Sequence, residues 1–228
     1  MMHQPSLLLL TAFFAFLFAA ACSGENPSEP VNADEDDTVE LIFGEQEVSF
    51  TAAHYASMTE EALEVFQEAA PLFTYERENL EKWFIRYYIQ MHEYNENWTT
   101  DDMLDLARER MRFEKEWRSY AKEYYGVEVS EEMIEEEASY QIELYETNTP
   151  ASIRGMADGL DMTLEEFFME FDRDHVARTV IWEELYPLLQ EKYAEEEDET
   201  VSAAHRYSEE VLYSLENNDS PFPDDPMP

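Results

Sequence analysis

The sequence predicts a mainly α fold with a short β hairpin at its N-terminal edge. Three observations carry this. Apolar residues recur at helical spacing from Thr59 to Leu215. Hydrophobic residues make up 44% of the chain and aromatic residues 14%, enough to build a core beside 54 Asp+Glu and 14 Lys+Arg. Alternation with period two is convincing only over Thr38–Phe50.

In that stretch Val39, Leu41 and Phe43 alternate, Gly44-Glu45-Gln46 allows a turn, and Val48 and Phe50 alternate again. Thr59 is placed to cap a first helix over Glu60–Ala70, with Pro71 at its end. A second helix is predicted over Tyr75–Tyr94, with Leu80, Trp83, Phe84, Tyr87, Tyr88 and Met91 inward. Thr100 caps a long third helix, with Asp101 and Asp102 in its electropositive first turn. Its inward line is Met103, Leu106, Ala107, Phe113, Trp117, Tyr120, Ala121 and Tyr124, and Gly126 suits the residue just past its end.

Ser130 starts a fourth helix with Ile134, Ala138, Ile142 and Tyr145 inward. Thr149-Pro150 opens a fifth, with Pro150 as its first residue and Asp158-Gly159 closing it. Thr163-Leu164-Glu165-Glu166 is a capping box for a sixth helix through Phe171. A seventh runs from Asp174 to Lys192 with Val176, Val180, Ile181, Leu185, Leu188 and Leu189 inward and Pro187 as a kink. A last helix spans Thr200–Leu215, carrying Val201, Ala204, Val211 and Leu212.

The ends of the chain read differently. Leu7–Ala21 is an apolar run interrupted only by Thr11, short for a membrane span and suited to a secretory leader. It ends in Phe18-Ala19-Ala20-Ala21-Cys22-Ser23, which resembles a bacterial lipobox, although Met1–Ser6 holds no Lys or Arg. That resemblance implies lipidation of Cys22 and anchoring to the outer face of a cell membrane. The alternative is an ordinary cleaved leader with an incidental cysteine. Residues 1–21 are thus expected to be a leader, 22–37 an acidic tether, 38–216 one helical domain and 217–228 a loose tail.

A net charge of −40 opposes binding to phosphate backbones, so no nucleic-acid partner is expected. The single Cys gives no disulfide framework or multi-cysteine metal site. His54, His92, His175 and His205 form no ligand motif, and Asp174-His175 reads as a helix cap with an exposed imidazole. Glu135-Glu136-Glu137 and Glu195-Glu196-Glu197-Asp198 lack the spacing of a calcium loop. No catalytic constellation, metal or cofactor is expected. Self-repulsion on such a surface is tolerable in high salt, which screens it, or where alkaline pH favours a chain with few Lys.

Three landmarks resemble the SurA N-terminal-like family of extracytoplasmic foldases, which includes PrsA-type lipoproteins. They are the strand–Gly–strand opening Val39–Phe50, the segment Tyr125-Gly126-Val127-Glu128-Val129-Ser130-Glu131-Glu132-Met133-Ile134, and the segment Gly159-Leu160-Asp161-Met162-Thr163-Leu164-Glu165-Glu166-Phe167. The resemblance implies a chaperone-like helical domain that holds unfolded or extended secreted polypeptide in an apolar cradle. The chain has no room for the parvulin isomerase domain that such foldases often carry, so no prolyl isomerase activity is implied.

The aromatic load then supplies candidate contacts. Trp83, Tyr87, Tyr88, Met91, Trp117, Tyr120, Tyr124 and Tyr125 lie on two successive helices. Neighbours on a helix point about 100° apart, so one of each pair Tyr87-Tyr88 and Tyr124-Tyr125 should reach the margin of the core. The cradle is expected between the Tyr75–Tyr125 helices and the Ser130–Lys192 block. A lipid-anchored chaperone is one reading; a cell-surface binding or structural lipoprotein with one dedicated protein partner is the other. An enzyme of unrecognised type is a third.

Overall fold

The computed structural model describes residues 38–43, 46–70, 76–194 and 202–217. The leader Leu7–Ala21, Cys22, the tether to Asp37, the turn at Gly44-Glu45, the break at Pro71, the run Glu195–Asp198, Thr200, Val201 and the tail from Asn218 lie outside them. The fold is mainly α. Strands β1 (Thr38–Phe43) and β2 (Gln46–Thr51) pair antiparallel, with Val39 opposite Phe50 and Leu41 opposite Val48.

β2 runs straight into α1 (Ala52–Ala69). Thr59 does not cap this helix. The cap is Thr51, whose hydroxyl accepts from the His54 N–H while His54 Nδ1 accepts from the Thr51 N–H. Thr59 lies in mid-helix, fully buried, with its hydroxyl bonded to the Tyr55 carbonyl at 2.8 Å. Nothing in Ala52–Met58 resists a helix, so helical structure continues back to the strand end.

α2 (Arg77–Glu93) buries Leu80, Trp83, Phe84, Ile85 and Ile89. α3 (Thr100–Tyr125) is capped one residue earlier than expected, by Thr99, in a capping box with Asp102. Its end is as predicted: Gly126 takes φ 70°, open to glycine at no side-chain cost. Tyr124, expected inward, is 58% exposed. α4 (Glu131–Tyr145), capped by Ser130, buries only Ile134 and Ala138.

α5 (Ala151–Gly159) is preceded by Pro150, which is its cap rather than its first residue. The helix ends at Gly159, as expected, but Gly155 and Gly159 also serve its packing. A Cβ on Gly155 would lie 2.3 Å from the Ala52 carbonyl oxygen and 2.4 Å from Tyr55 Cβ. One on Gly159 would lie 2.7 Å from the Ala56 oxygen. These glycines let α5 press directly onto the backbone of α1.

α6 (Leu164–Glu166) starts at the expected Thr163 capping box, then widens into a π-helical turn, Phe167–Phe171. Widening turns Phe167, Phe168 and Phe171 all inward, and each is at most 3% exposed. Cations from α2 occupy its end: Lys82 donates to the Glu170 carbonyl at 2.6 Å and Arg86 to that of Phe171 at 3.4 Å. α7 (Arg173–Lys192) contains Pro187 and buries Val176, Val180, Ile181, Leu185 and Leu189, whereas Leu188 is exposed. α8 (Ala203–Asn217) starts later than expected and is held by Tyr207, fully buried, and Val211.

Candidate functional site

The eight candidate contact residues fall into two groups. Trp83, Tyr87, Tyr88 and Met91 on α2 pack with Phe66, Phe84 and Leu104. Trp83 is 8% exposed and sandwiched, with the Arg86 guanidinium 4.4 Å and that of Arg110 5.1 Å from its ring. Tyr87 meets Trp98 edge-on at 6.1 Å, and Tyr88 donates its hydroxyl to Glu61 at 3.2 Å. Tyr87, Tyr88 and Met91 are half-buried.

Trp117, Tyr120, Tyr124 and Tyr125 gather at the far end of α3 around Tyr207 of α8. Trp117 is fully buried, T-shaped to Tyr207 at 5.3 Å, and Tyr207 donates to the Trp117 carbonyl at 2.6 Å. Tyr120 stacks on Tyr124 at 4.2 Å, so the exposed ring of Tyr124 lies flat on its neighbour. Tyr125 donates to Glu210 at 2.6 Å and accepts from Lys192 at 2.7 Å. Glu210 also bonds Lys192 and Tyr193. Burial pushes the Tyr125 phenol up and its bond to Glu210 adds to this. Burial opposes ionisation of Glu210, but its three donors outweigh that and hold the carboxyl below its usual range. This polar cluster ties α8 to α3 and α7. Trp83 and Trp117 are therefore core side chains and cannot meet a partner; their helical spacing matched the core line.

The seam between α2, α3 and α7, expected to be an apolar cradle, is closed and charged. Arg86 grips Asp174 with two nitrogens, at 2.7 and 2.8 Å, and Asp172 at 2.9 Å. Asp174 is thus an ion-pair partner and not a cap. His175 turns its Nδ1 to Asp172 at 3.2 Å and its ring is 38% exposed. Arg178 meets both oxygens of Glu114, and Arg110 meets the same carboxylate at 2.7 Å. Arg178 also covers the Trp117 ring at 4.2 Å. Arg118 donates to the Asp174 carbonyl at 3.2 Å.

Burial alone would raise the Glu114 carboxyl, but Arg178 and Arg110 outweigh it and hold the group below its usual range. For Asp174, burial is overcome in the same way by Arg86, Arg118 and Lys82. A signal for the seam stood in the sequence. Met103, Ala107, Arg110, Glu114, Trp117 and Ala121 repeat at alternating four- and three-residue steps, and all six are buried. Two opposite charges set inside that line are a pair aimed at the core.

The outer surface carries several large exposed side chains. Tyr213 is 70% exposed, Tyr140 60% and Leu144 52%. A shallow depression of ≈ 570 Å³ at the end of α3 is lined by Ser119, Lys122, Glu123, Gly126 and Glu128, all polar or glycine. Among the described residues no group of three His, Cys, Asp or Glu side chains could hold a metal ion, and no helix is long and apolar enough to cross a membrane. In comparisons with known proteins, no family model, no curated protein and no solved structure matches the chain.

Proposed function

We propose that this chain is a lipid-anchored extracytoplasmic protein that binds extended or unfolded segments of secreted polypeptides without catalysing a reaction. The observation that carries the reading is the set of large side chains left outside a filled core. Tyr124, Tyr140, Leu144 and Tyr213 each keep more than half of their surface in water, on a domain whose carboxylates keep any complex dispersed. The leader-like run and its resemblance to a lipobox at Cys22 support a place at the outer face of a membrane. Capture occurs on surface rings, because the seam that could have formed a cradle is filled by ion pairs.

The closed interior also favours the second reading, a lipoprotein with one dedicated protein partner, in which these rings anchor a fixed interface. Suppression of aggregation separates the two. The proposed chaperone slows aggregation of several unrelated denatured proteins at stoichiometric amounts. A dedicated binding protein leaves all of them unprotected and retains a single partner. Palmitate labelling that is lost in Cys22→Ser tests the anchor, and unchanged labelling would remove it.

A further inference from the structure

We propose that the uncovered flank of α4 docks cationic amphipathic segments of polypeptide. This rests on the polypeptide-binding reading above and names the class of segment bound.

α4 packs through one line, Ile134 and Ala138, with Ile142 and Tyr145 half-buried beside them. At about 100° per residue, Met133, Tyr140 and Leu144 fall on a second line, turned by roughly 100° from Ile134. Met133 is half-buried, but Tyr140 and Leu144 are 60% and 52% exposed. The helix is thus apolar over a wider arc than the domain covers. Spacing of seven and then four residues is how one helix face presents anchors to an extended or helical partner.

The border of this line decides the partner. Glu132, Glu136 and Glu143 flank it on the solvent side, and all are exposed. Glu137, on the core side, holds Gln141 at 2.7 Å. From Glu131 to Tyr145 there is no Lys, Arg or His. A segment with an apolar side chain and a Lys or Arg one turn away covers the Tyr140 ring and meets Glu136 and Glu143. A neutral apolar segment makes only half of these contacts. Acidic segments and anionic lipid headgroups meet the same carboxylates with like charge. A second copy of this chain, at −40, is repelled in the same way.

The test uses the full chain and three labelled peptides with one Leu/Phe frame, differing only in Lys, Ser or Glu between the apolar residues. Fluorescence anisotropy should show the Lys peptide bound about tenfold or more tighter than the Ser peptide, with the Glu peptide unbound. About 0.5 M NaCl should erase most of that difference. The double variant Tyr140→Ser/Leu144→Ser should lose the Lys peptide about tenfold, and Glu136→Gln/Glu143→Gln should bring the Lys and Ser peptides together. Leu188→Ser, exposed on α7 and outside the flank, should bind as the wild type.

Equal affinity for the Lys and Ser peptides overturns the charge recognition. Unchanged binding by the α4 variants overturns this surface while polypeptide binding itself stands. Capture of phosphatidylglycerol vesicles through Tyr140 and Leu144 in place of peptides also overturns it. No binding of any peptide, together with no protection of denatured proteins, removes the parent reading as well.

Discussion

Arg178 reaches from α7 to Glu114 on α3, with Nη1 2.6 Å from each oxygen of the carboxylate. Arg110 approaches the same group from one turn away. One acid therefore balances two guanidiniums in an interior position. Removing it leaves buried positive charge without its partner, which is the costly way to break such a pair. Glu114→Gln should destabilise the domain by about 3–5 kcal/mol, read from urea unfolding. A loss within experimental error would mean that water already solvates the seam.

Glu114 and Asp174 also set a response to acid. Both carboxyls lie below their ordinary range in the folded chain and return to it on unfolding, so the unfolded chain takes up protons first as pH falls. Their stabilisation is complete at neutral pH. It begins to fade as the pH passes the unfolded values, 4.5 for Glu114 and 3.8 for Asp174, and is gone below the folded ones. Glu93, raised by its burial, works in the opposite direction. The comparison with a variant isolates the seam: unfolding free energy should fall less steeply below pH 5 in Asp174→Asn than in the wild type. Parallel curves would contradict the assignment.

Gly155 is predicted to be intolerant of a side chain. A methyl group there meets the Ala52 carbonyl and Tyr55 Cβ, both on backbone or next to it, so neither can swing aside. Gly155→Ala should cost about 1–3 kcal/mol or more by forcing α5 off α1. Gly126→Ala meets nothing within 4 Å and should cost only about 1 kcal/mol for its positive φ. Thermal melts of the pair give the order; a reversed order would place the strain at the α3 end.

Salt should act on the surface and spare the seam. Exposed carboxylates repel one another through water, whereas the Arg86–Asp174 and Arg178–Glu114 pairs are largely shielded from it. The melting temperature should therefore rise with NaCl up to about 1 M. A falling melting temperature would assign the stability to attractive surface pairs instead.

Much of this fold was legible because side-chain chemistry at helix ends is local. Thr163 with Glu166, Ser130, and Gly126 after Tyr125 each announce a boundary through a bond or a backbone angle confined to a few residues. Thr59 misled because a hydroxyl that bonds back to Tyr55 looks, in one dimension, the same as one that caps. Gly159 closes α5 as expected, but close approach of two helices also favours glycine, and its contact with the Ala56 backbone has no signature in one dimension. The candidate contacts were only partly legible. Periodicity places Trp83 and Trp117 on the core line but does not say how far the cover extends. The cover is supplied by Arg86, Arg110 and Arg178, two of which come from other helices than the ring they cover. Tyr140 and Leu144 carry no such signal, because periodicity marks the inward line Ile134, Ala138, Ile142 and Tyr145 and leaves the rest of the fourth helix to solvent.

The glycine contact between α5 and α1 has a consequence for how the domain is made. A ribosome delivers Ala52, Tyr55 and Ala56 long before Gly155 and Gly159 exist. Until then the face of α1 that will meet α5 stays open, and Tyr55 has only its partners from earlier sequence, Phe50 and Glu93. Assembly of this corner must wait for late-born sequence, so its closure should be among the last events of folding.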